Sequence, residues 1–258
     1  MILRDIFILT KGTKVILAIT FSVSVIAVLF AFFYYHAINR SEDPRIKAAR
    51  KFLLKYEKEG ETLNGIEAFP YLDSAFAVFS RLPDYKSSFE TGVIYNNKGS
   101  AMLLKAIYDS TISEQEKTTL LRLSFSYNDS SISVYKKWIK EWSSLTEEEI
   151  RLKIKPFMRI DDEAFSGLNF EKIFNRRIKN IILAQTETPR RLSVSLSNRG
   201  TIFRHLGEPD SAYTNYTKAL LLWKENLAAR SNLSVLMGGD PVKPTLIQSL
   251  FPPDKNKK

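Results

Sequence analysis

The sequence predicts an all-α protein, and three observations support that class. Apolar residues recur at helical spacing through most of the chain, while no alternation of period two lasts long enough to indicate a sheet. Pro, Gly and capping residues separate these segments. The 258 residues are 44% apolar and 12% aromatic, which is ample for a buried core.

The first helix is predicted to cross a membrane. Residues 15–35 carry no charge, and as a helix they measure about 30 Å, the thickness of the hydrocarbon core of a bilayer. Tyr34 and Tyr35 stand where interfacial aromatic residues are expected. A cleaved signal peptide is the alternative, but the bulky residues 32–36 offer no small-residue cleavage site. We therefore expect a tail over 1–14 and a transmembrane helix over 15–36.

Positive charges flank both ends of this segment, so two arguments compete over its orientation. The count of Lys and Arg is higher after the segment, which favours a cytoplasmic C-terminal domain. Lys11 and Lys14, however, adjoin the membrane directly, whereas most of the later positive residues alternate with acids in an amphipathic helix. We expect a single-pass protein of the inner (cytoplasmic) membrane with its C-terminal domain on the periplasmic side, and the cytosol is the alternative.

Residues 41–158 are predicted to form a degenerate helical-repeat region. Pro44 follows capping residues and opens a helix that ends near Gly60. Further helices are expected over 71–82 and 87–108, and two more between 111 and 144. Thr146 and Glu149 have the spacing of a capping box, so another helix begins there and ends or kinks at Pro156.

The segment 169–240 has the clearest organisation. After a linker over 159–168, Asn169 is expected to cap a long helix, and Thr188-Pro189 to open the next one. Residues 193–226 then form a helix, a turn at Gly207 and a second helix. A Pro- and Lys-rich tail occupies 241–258, and its last five residues are expected to be disordered.

The segment 193–226 resembles a tetratricopeptide repeat, a 34-residue helical hairpin with small residues where its helices touch. Asn198-Arg199-Gly200 recurs 34 residues later as Asn232-Leu233-Ser234, and Asn97-Lys98-Gly99 is a weaker echo. Leu196, Arg199 and Lys224 depart from the usual Trp, Leu and Pro. The resemblance implies an α-solenoid of antiparallel hairpins, and an unrelated helical hairpin is the alternative. The matching structural positions are Gly200, Phe203, Gly207, Ala212, Tyr216 and Ala219.

The resemblance also implies a surface for partner proteins. First-helix residues of such repeats line a concave groove that receives a peptide or a helix. Arg204 is expected to bind an acidic group of the partner, because its guanidinium grips a carboxylate in two places. For the two asparagines, hydrogen bonding to the backbone of a neighbouring hairpin is the alternative role. The implied groove residues are Ser197, Asn198, Thr201, Arg204, His205, Ser231, Asn232 and Val235.

The sequence contains no recognised motif for catalysis, for a cofactor or for a metal. It has no Cys, and its two His residues, His36 and His205, have no obvious partner. A phosphate loop, a Ser nucleophile elbow and a zinc-protease motif are all missing. The acids at 161–163 lack the EF-hand order of ligands and are interpreted as a helix cap. The two tryptophans, Trp138 and Trp142, are expected to belong to the core.

The net charge of +10 is spread over most helices rather than concentrated, so nucleic-acid binding is not expected. Together with the predicted anchor, the repeat resemblance implies a membrane-anchored, non-enzymatic scaffold or adaptor for an envelope assembly, such as a secretion, biogenesis or flagellar-motor accessory. Its partners are other proteins, and its oligomeric state is left open. A regulatory or accessory subunit of a membrane enzyme is the first alternative, and a protein that contacts peptidoglycan or lipid is the second.

Overall fold

The computed structural model describes residues 11–60 and 65–244, and within these ranges every regular element is helical. The predicted all-α class is thereby confirmed. Short 3-10 turns occur at Pro44–Ile46, Gly65–Ala68 and Glu163–Phe165. The helices are α1 (Lys11–Arg40), α2 (Lys47–Glu59), α3 (Phe69–Ser80), α4 (Phe89–Tyr108), α5 (Glu114–Trp142), α6 (Glu147–Ile154), α7 (Phe170–His205), α8 (Pro209–Leu222) and α9 (Leu227–Leu236).

Helix α1 contains the segment that was predicted to span a membrane. Across the described residues, no helix is both long enough and apolar enough to cross a bilayer. The transmembrane prediction for 15–36 is therefore not confirmed, and the side chains of 31–36 lie outside the description. Residues 1–10 of the predicted tail also lie outside it, as does the C-terminal tail from residue 245.

Helices α4 and α5 form an antiparallel hairpin. Ser124 donates a hydrogen bond to the carbonyl of Gly99 at 2.7 Å, and Ser131 donates to that of Gly92 at 2.9 Å. A Cβ atom on Gly92 would lie only 2.4 Å from the ring of Tyr135. The two glycines therefore allow an approach between helix backbones that a larger residue would block.

Helix α7 and helix α8 form a second antiparallel hairpin around the turn at Gly207. Ser193 in α7 donates a hydrogen bond to the carbonyl of Ala219 in α8 at 2.7 Å. Near the turn, a Cβ atom on Gly200 would lie 2.7 Å from the ring of Tyr216. Gly207 itself has a φ of +79°, a backbone region that residues with a side chain rarely adopt.

Two predicted helix boundaries are wrong. The interval 111–144, expected to hold two helices, is one helix of 29 residues, α5. Pro189 was expected to open a helix but lies inside α7, which runs unbroken for 36 residues. Buried residues before Pro189, such as Ile181, and after it, such as Leu192, both pack into the core. That packing holds the two halves of α7 in line although Pro lacks an amide donor.

The predicted helix starts at Thr146 and Asn169 are confirmed. Thr146 and Glu149 form a reciprocal capping box at the start of α6, and Asn169 accepts a hydrogen bond from the backbone amide of Lys172. Trp138 is 2% exposed and stacks on the partly buried Trp142 at 6.2 Å, so the tryptophan pair belongs to the core as expected.

Candidate functional site

The predicted groove residues lie on α7 and α9, which run parallel to each other. Asn226, which caps α9, donates a hydrogen bond to the Ser193 hydroxyl at 2.9 Å. Further along both helices, Asn232 donates to the Thr201 hydroxyl at 3.2 Å. The earlier residue of α7 contacts the start of α9, and the later residue of α7 contacts a later residue of α9, so the two helices run in the same direction. The C-terminal turns of α7 and α9 therefore lie at the same end of the molecule.

Helix α4 is parallel to α7 as well. Asn198 of α7 donates hydrogen bonds to the side chains of Asn96 at 3.3 Å and Ser100 at 3.0 Å. The hydroxyl of Ser195 also donates to Asn96, at 2.8 Å. Asn198 and Asn232 thus each join neighbouring parallel helices, and they do so through side chains rather than through backbone groups.

The inner part of the predicted groove is buried. Ser197 is 2% exposed and Thr201 is 8% exposed. The Thr201 hydroxyl donates to the carbonyl of Ser197 at 3.1 Å and accepts from the hydroxyl of Tyr216 at 3.1 Å, in addition to the bond from Asn232. These side chains tie α7 to α8 and α9, and they have almost no surface for a partner.

The outer part of the predicted groove is accessible. His205 and Val235 are exposed, and Arg204 and Ser231 are partly exposed. Further apolar side chains lie at the same end of the parallel helices, because α4 ends at Tyr108, which is 66% exposed, and α9 is followed by Met237, which is 70% exposed. We name the accessible set Tyr108, Arg204, His205, Val235 and Met237 the C-terminal rim.

The C-terminal rim contains one permanent cation, Arg204, next to His205. Burial lowers the pKa of His205 below its ordinary value, and the nearby cations Arg204 and Lys117 lower it further. Lys117 pairs with Glu114 at 3.4 Å. In the described part of the chain, no carboxylate lies within ion-pairing distance of Arg204. The Arg204 guanidinium is therefore available to an acidic group from outside.

The six predicted repeat positions meet at the α7–α8 hairpin. Ala212, Tyr216 and Ala219 are all fully buried, and the first two lie against Gly200. Phe203 packs edge-to-face on Phe125 of α5, with ring centroids 5.4 Å apart. Gly207 supplies the left-handed turn residue. This placement describes one close-packed hairpin with an aromatic contact to the preceding helix.

The sequence did not reveal a buried ionic cluster between the N-terminal region and α7. Arg177 is 4% exposed at its side chain, pairs with Glu90 at 2.6 Å, and lies 3.9 Å from the ring centroid of Tyr85. Arg45 pairs with Asp43 at 2.8 Å and with Asp84 at 3.0 Å. The members are far apart along the chain and follow no local pattern, so only the fold brings them together.

Burial shifts the pKa of two acidic groups of this cluster. It raises the pKa of Asp84, although Arg45 and Arg177 oppose the shift, and it raises the pKa of Tyr85 well above its ordinary value. One carboxylate oxygen each of Asp84 and Glu90, together with the Nε of Arg177, has no hydrogen-bond partner. The cluster cross-links α4, α7 and the segment before α2, and its buried position closes it to a partner protein.

An open groove of about 420 Å³ lies between α6 and the start of α7. It is lined by the cations Arg151, Lys155 and Arg159, by the acids Asp161 and Glu171, and by apolar side chains. Arg159 and Asp161 neutralise each other in an ion pair at its edge. The acids at 161–163 behave as expected for a cap, since Asp162 accepts from the backbone amide of Ala164. Among the described residues, no three metal-binding side chains converge.

The C-terminal rim therefore combines exposed apolar side chains with an unpaired cation. Comparison with known proteins adds no relative: no protein-family model, no curated protein and no solved structure matches this chain.

Proposed function

We propose that this protein is a membrane-anchored scaffold whose C-terminal rim binds an acidic segment of another protein. The observation that carries the proposal is the alignment of α4, α7 and α9. Their parallel register brings exposed Tyr108, Val235 and Met237 to the same end of the molecule as Arg204. Exposed apolar residues around a planar cation are typical of protein-binding surfaces.

The helix arrangement supports a solenoid-like stack. Two antiparallel hairpins, α4–α5 and α7–α8, each have a glycine in the first helix facing the second helix. The first helices of the two hairpins and the single helix α9 are joined by Asn and Ser or Thr side chains. Among the described residues no helix follows α9, and we propose its outer surface as the place where a partner docks.

Membrane attachment is proposed for α1. The segment 15–35 lacks charge. In the described part of α1, apolar side chains such as Phe21, Ile26 and Val28 are between 65% and 71% exposed, and the buried core clusters of the described residues contain none of them. A bilayer would cover this apolar surface. We propose the inner membrane as its location, with α2 to α9 in the periplasm.

Site-specific photo-crosslinking in intact cells tests the partner-binding role. A photoreactive amino acid at Val235 or Tyr108 is expected to capture the same partner, identified by mass spectrometry. The control is the same amino acid at Leu221, which is 79% exposed near the end of α8 that lies away from the rim, two residues after Ala219. Equal capture at Leu221, or no capture at the rim, would contradict the proposal.

A charge reversal then tests the acidic contact. Arg204→Glu is expected to lower crosslinking at Val235 about tenfold or more, since a charge-assisted hydrogen bond contributes roughly 1.5–3 kcal/mol. Lys218→Glu reverses a charge on the exposed face of α8 and is expected to leave the yield unchanged. Orientation is tested separately: a C-terminal tag should become protease-sensitive when the outer membrane alone is permeabilised.

A further inference from the structure

Helix α2 carries an exposed basic stripe on the side opposite its core contacts. At 3.6 residues per turn, the stripe residues fall within about 100° around the helix axis. Ala49 and Tyr56 point the other way and pack with Leu72 and Ala75 of α3. Leu54 is 54% exposed and lies at one edge of the stripe, next to Lys51 and Lys58. The residues of the basic stripe are Lys47, Lys51, Leu54, Lys55 and Lys58.

The lysines of the basic stripe form no ion pair in the described part of the chain. Among the described residues, no carboxylate lies within 4.0 Å of the ammonium groups of Lys47, Lys51 or Lys58, whereas the neighbouring Arg50 pairs with Glu42. The ammonium group of Lys55 lies 5.5 Å from the ring centroid of Tyr71, and it too has no carboxylate within 4.0 Å among the described residues. The stripe therefore presents four positive charges around one apolar side chain.

The basic stripe is held close to the end of α1. Only residues 41–46 separate the two helices, so a fully extended link spans at most about 25 Å. The link is not extended, because Asp43 caps the turn at Pro44–Ile46 and Arg45 is anchored to Asp84. Arg45 also donates a hydrogen bond to the carbonyl of Phe157 at 2.8 Å. The ionic cluster thus fixes the start of α2 on the body of the molecule.

We propose that the basic stripe of α2 docks on the anionic lipid headgroups of the membrane that holds α1. The inference rests on the proposed membrane attachment and adds a second, electrostatic contact to it. Each lysine within a Debye length of a negatively charged bilayer contributes about 1 kcal/mol of binding free energy. An amphipathic helix also inserts its apolar residues at the boundary between headgroups and acyl chains. Leu54 has the exposure and position for that insertion, and α1 supplies a high local lipid concentration.

Docking of α2 would also orient the scaffold. Because the ionic cluster joins the start of α2 to α4 and α7, a fixed α2 restricts how the helices α4 to α9 stand on the membrane. The C-terminal rim would then have a fixed orientation relative to the membrane.

A spin label at Leu54 tests the lipid contact in the full-length chain. The protein has no Cys, so Leu54→Cys gives one labelling site without background. In phosphatidylcholine nanodiscs containing phosphatidylglycerol, the label is expected to be accessible to oxygen and shielded from an aqueous nickel chelate. In phosphatidylcholine alone, or in high salt, it is expected to face water.

Charge removal provides the matched comparison. The triple variant combines Lys47→Gln, Lys51→Gln and Lys58→Gln. We expect it to lower the ratio of docked to undocked label about 100-fold, because each lysine contributes a factor of roughly five. Lys55 is kept, since it also contacts Tyr71. The control exchanges Lys136, Lys137 and Lys140, which are exposed on α5, for Gln and should leave the ratio unchanged.

The outcomes separate this inference from the membrane anchor. If the chain stays in the discs while the label faces water in both lipid mixtures, the docking inference is overturned and the anchor stands. If the chain leaves the disc fraction, the anchor fails and the inference fails with it. Shielding of the label by soluble polyglutamate, but not by phosphatidylglycerol discs, would assign the stripe to an acidic protein and overturn the lipid contact.

Discussion

Replacing Gly200 with Ala places a methyl group against the ring of Tyr216. The added Cβ would lie 2.7 and 2.8 Å from two ring carbons and 3.2 Å from the carbonyl oxygen of Ala212. The ring has little room to move, because Tyr216 is fully buried and its hydroxyl is bonded to Thr201. The substitution is therefore expected to force the helices of the α7–α8 hairpin apart.

Two opposing terms set the size of this effect. Gly to Ala inside a helix gains about 1 kcal/mol from propensity alone. Overpacking a dense core by one methyl group costs about 1–3 kcal/mol. With the cost near the middle of that range, the free energy of unfolding is expected to fall by about 1 kcal/mol. Gly200→Leu adds three more carbons at the same contact and is expected to cost several times as much.

A double-mutant cycle identifies the contact that causes the loss. Urea unfolding of the full chain in detergent is followed by circular dichroism at 222 nm for the parent, Gly200→Ala, Tyr216→Leu and the double variant. Without the Tyr216 ring, the alanine is expected to become neutral or stabilising, a coupling of about 1–2 kcal/mol. The close contact would be refuted if Gly200→Ala stabilised the parent chain. It would also be refuted if Gly200→Ala lowered the free energy of unfolding equally with and without the Tyr216 ring.

Three further perturbations test other parts of the structure. Arg177→Met leaves Glu90 buried without a counter-ion and is expected to cost about 3–5 kcal/mol of unfolding free energy, whereas adding Glu90→Leu should recover part of it. The lowered pKa of His205 means that the unfolded chain binds a proton more readily than the folded chain does. The free energy of unfolding should therefore fall as the pH drops below about 6.5. In matched urea titrations, His205→Gln should reduce this pH dependence. Thr146→Ala removes the capping box of α6 and is expected to lower the urea midpoint by the equivalent of about 1 kcal/mol, while Thr146→Ser should retain the cap.

The local elements of the fold could be predicted because their causes lie within a few residues. The capping box at Thr146 and the cap at Asn169 are hydrogen bonds between neighbours in sequence, so spacing alone identifies them. The boundary errors have the opposite origin. Pro189 is a strong local signal for a helix start, yet packing of α7 on either side of it overrides that signal.

The residues of the candidate site could also be predicted only in part. The repeat pattern identified the residues on the two helices, including Arg204 and Val235 at the surface. It did not distinguish them from Ser197 and Thr201, because burial depends on how α8 and α9 cover α7. Tyr108 and Met237 were missed, since they join the rim only through the parallel alignment of three helices that are distant in sequence.

The sequence by itself determined the helical class, most caps and turns, and the charge and apolar content of each segment, since these follow from side-chain chemistry at short range. Only the tertiary structure decided which of those helices run parallel, which groove residues are buried and which ions meet in the core. Arg45, Asp84 and Arg177 illustrate the reason: their attraction matters only after packing has removed water and placed them within a few ångströms of one another.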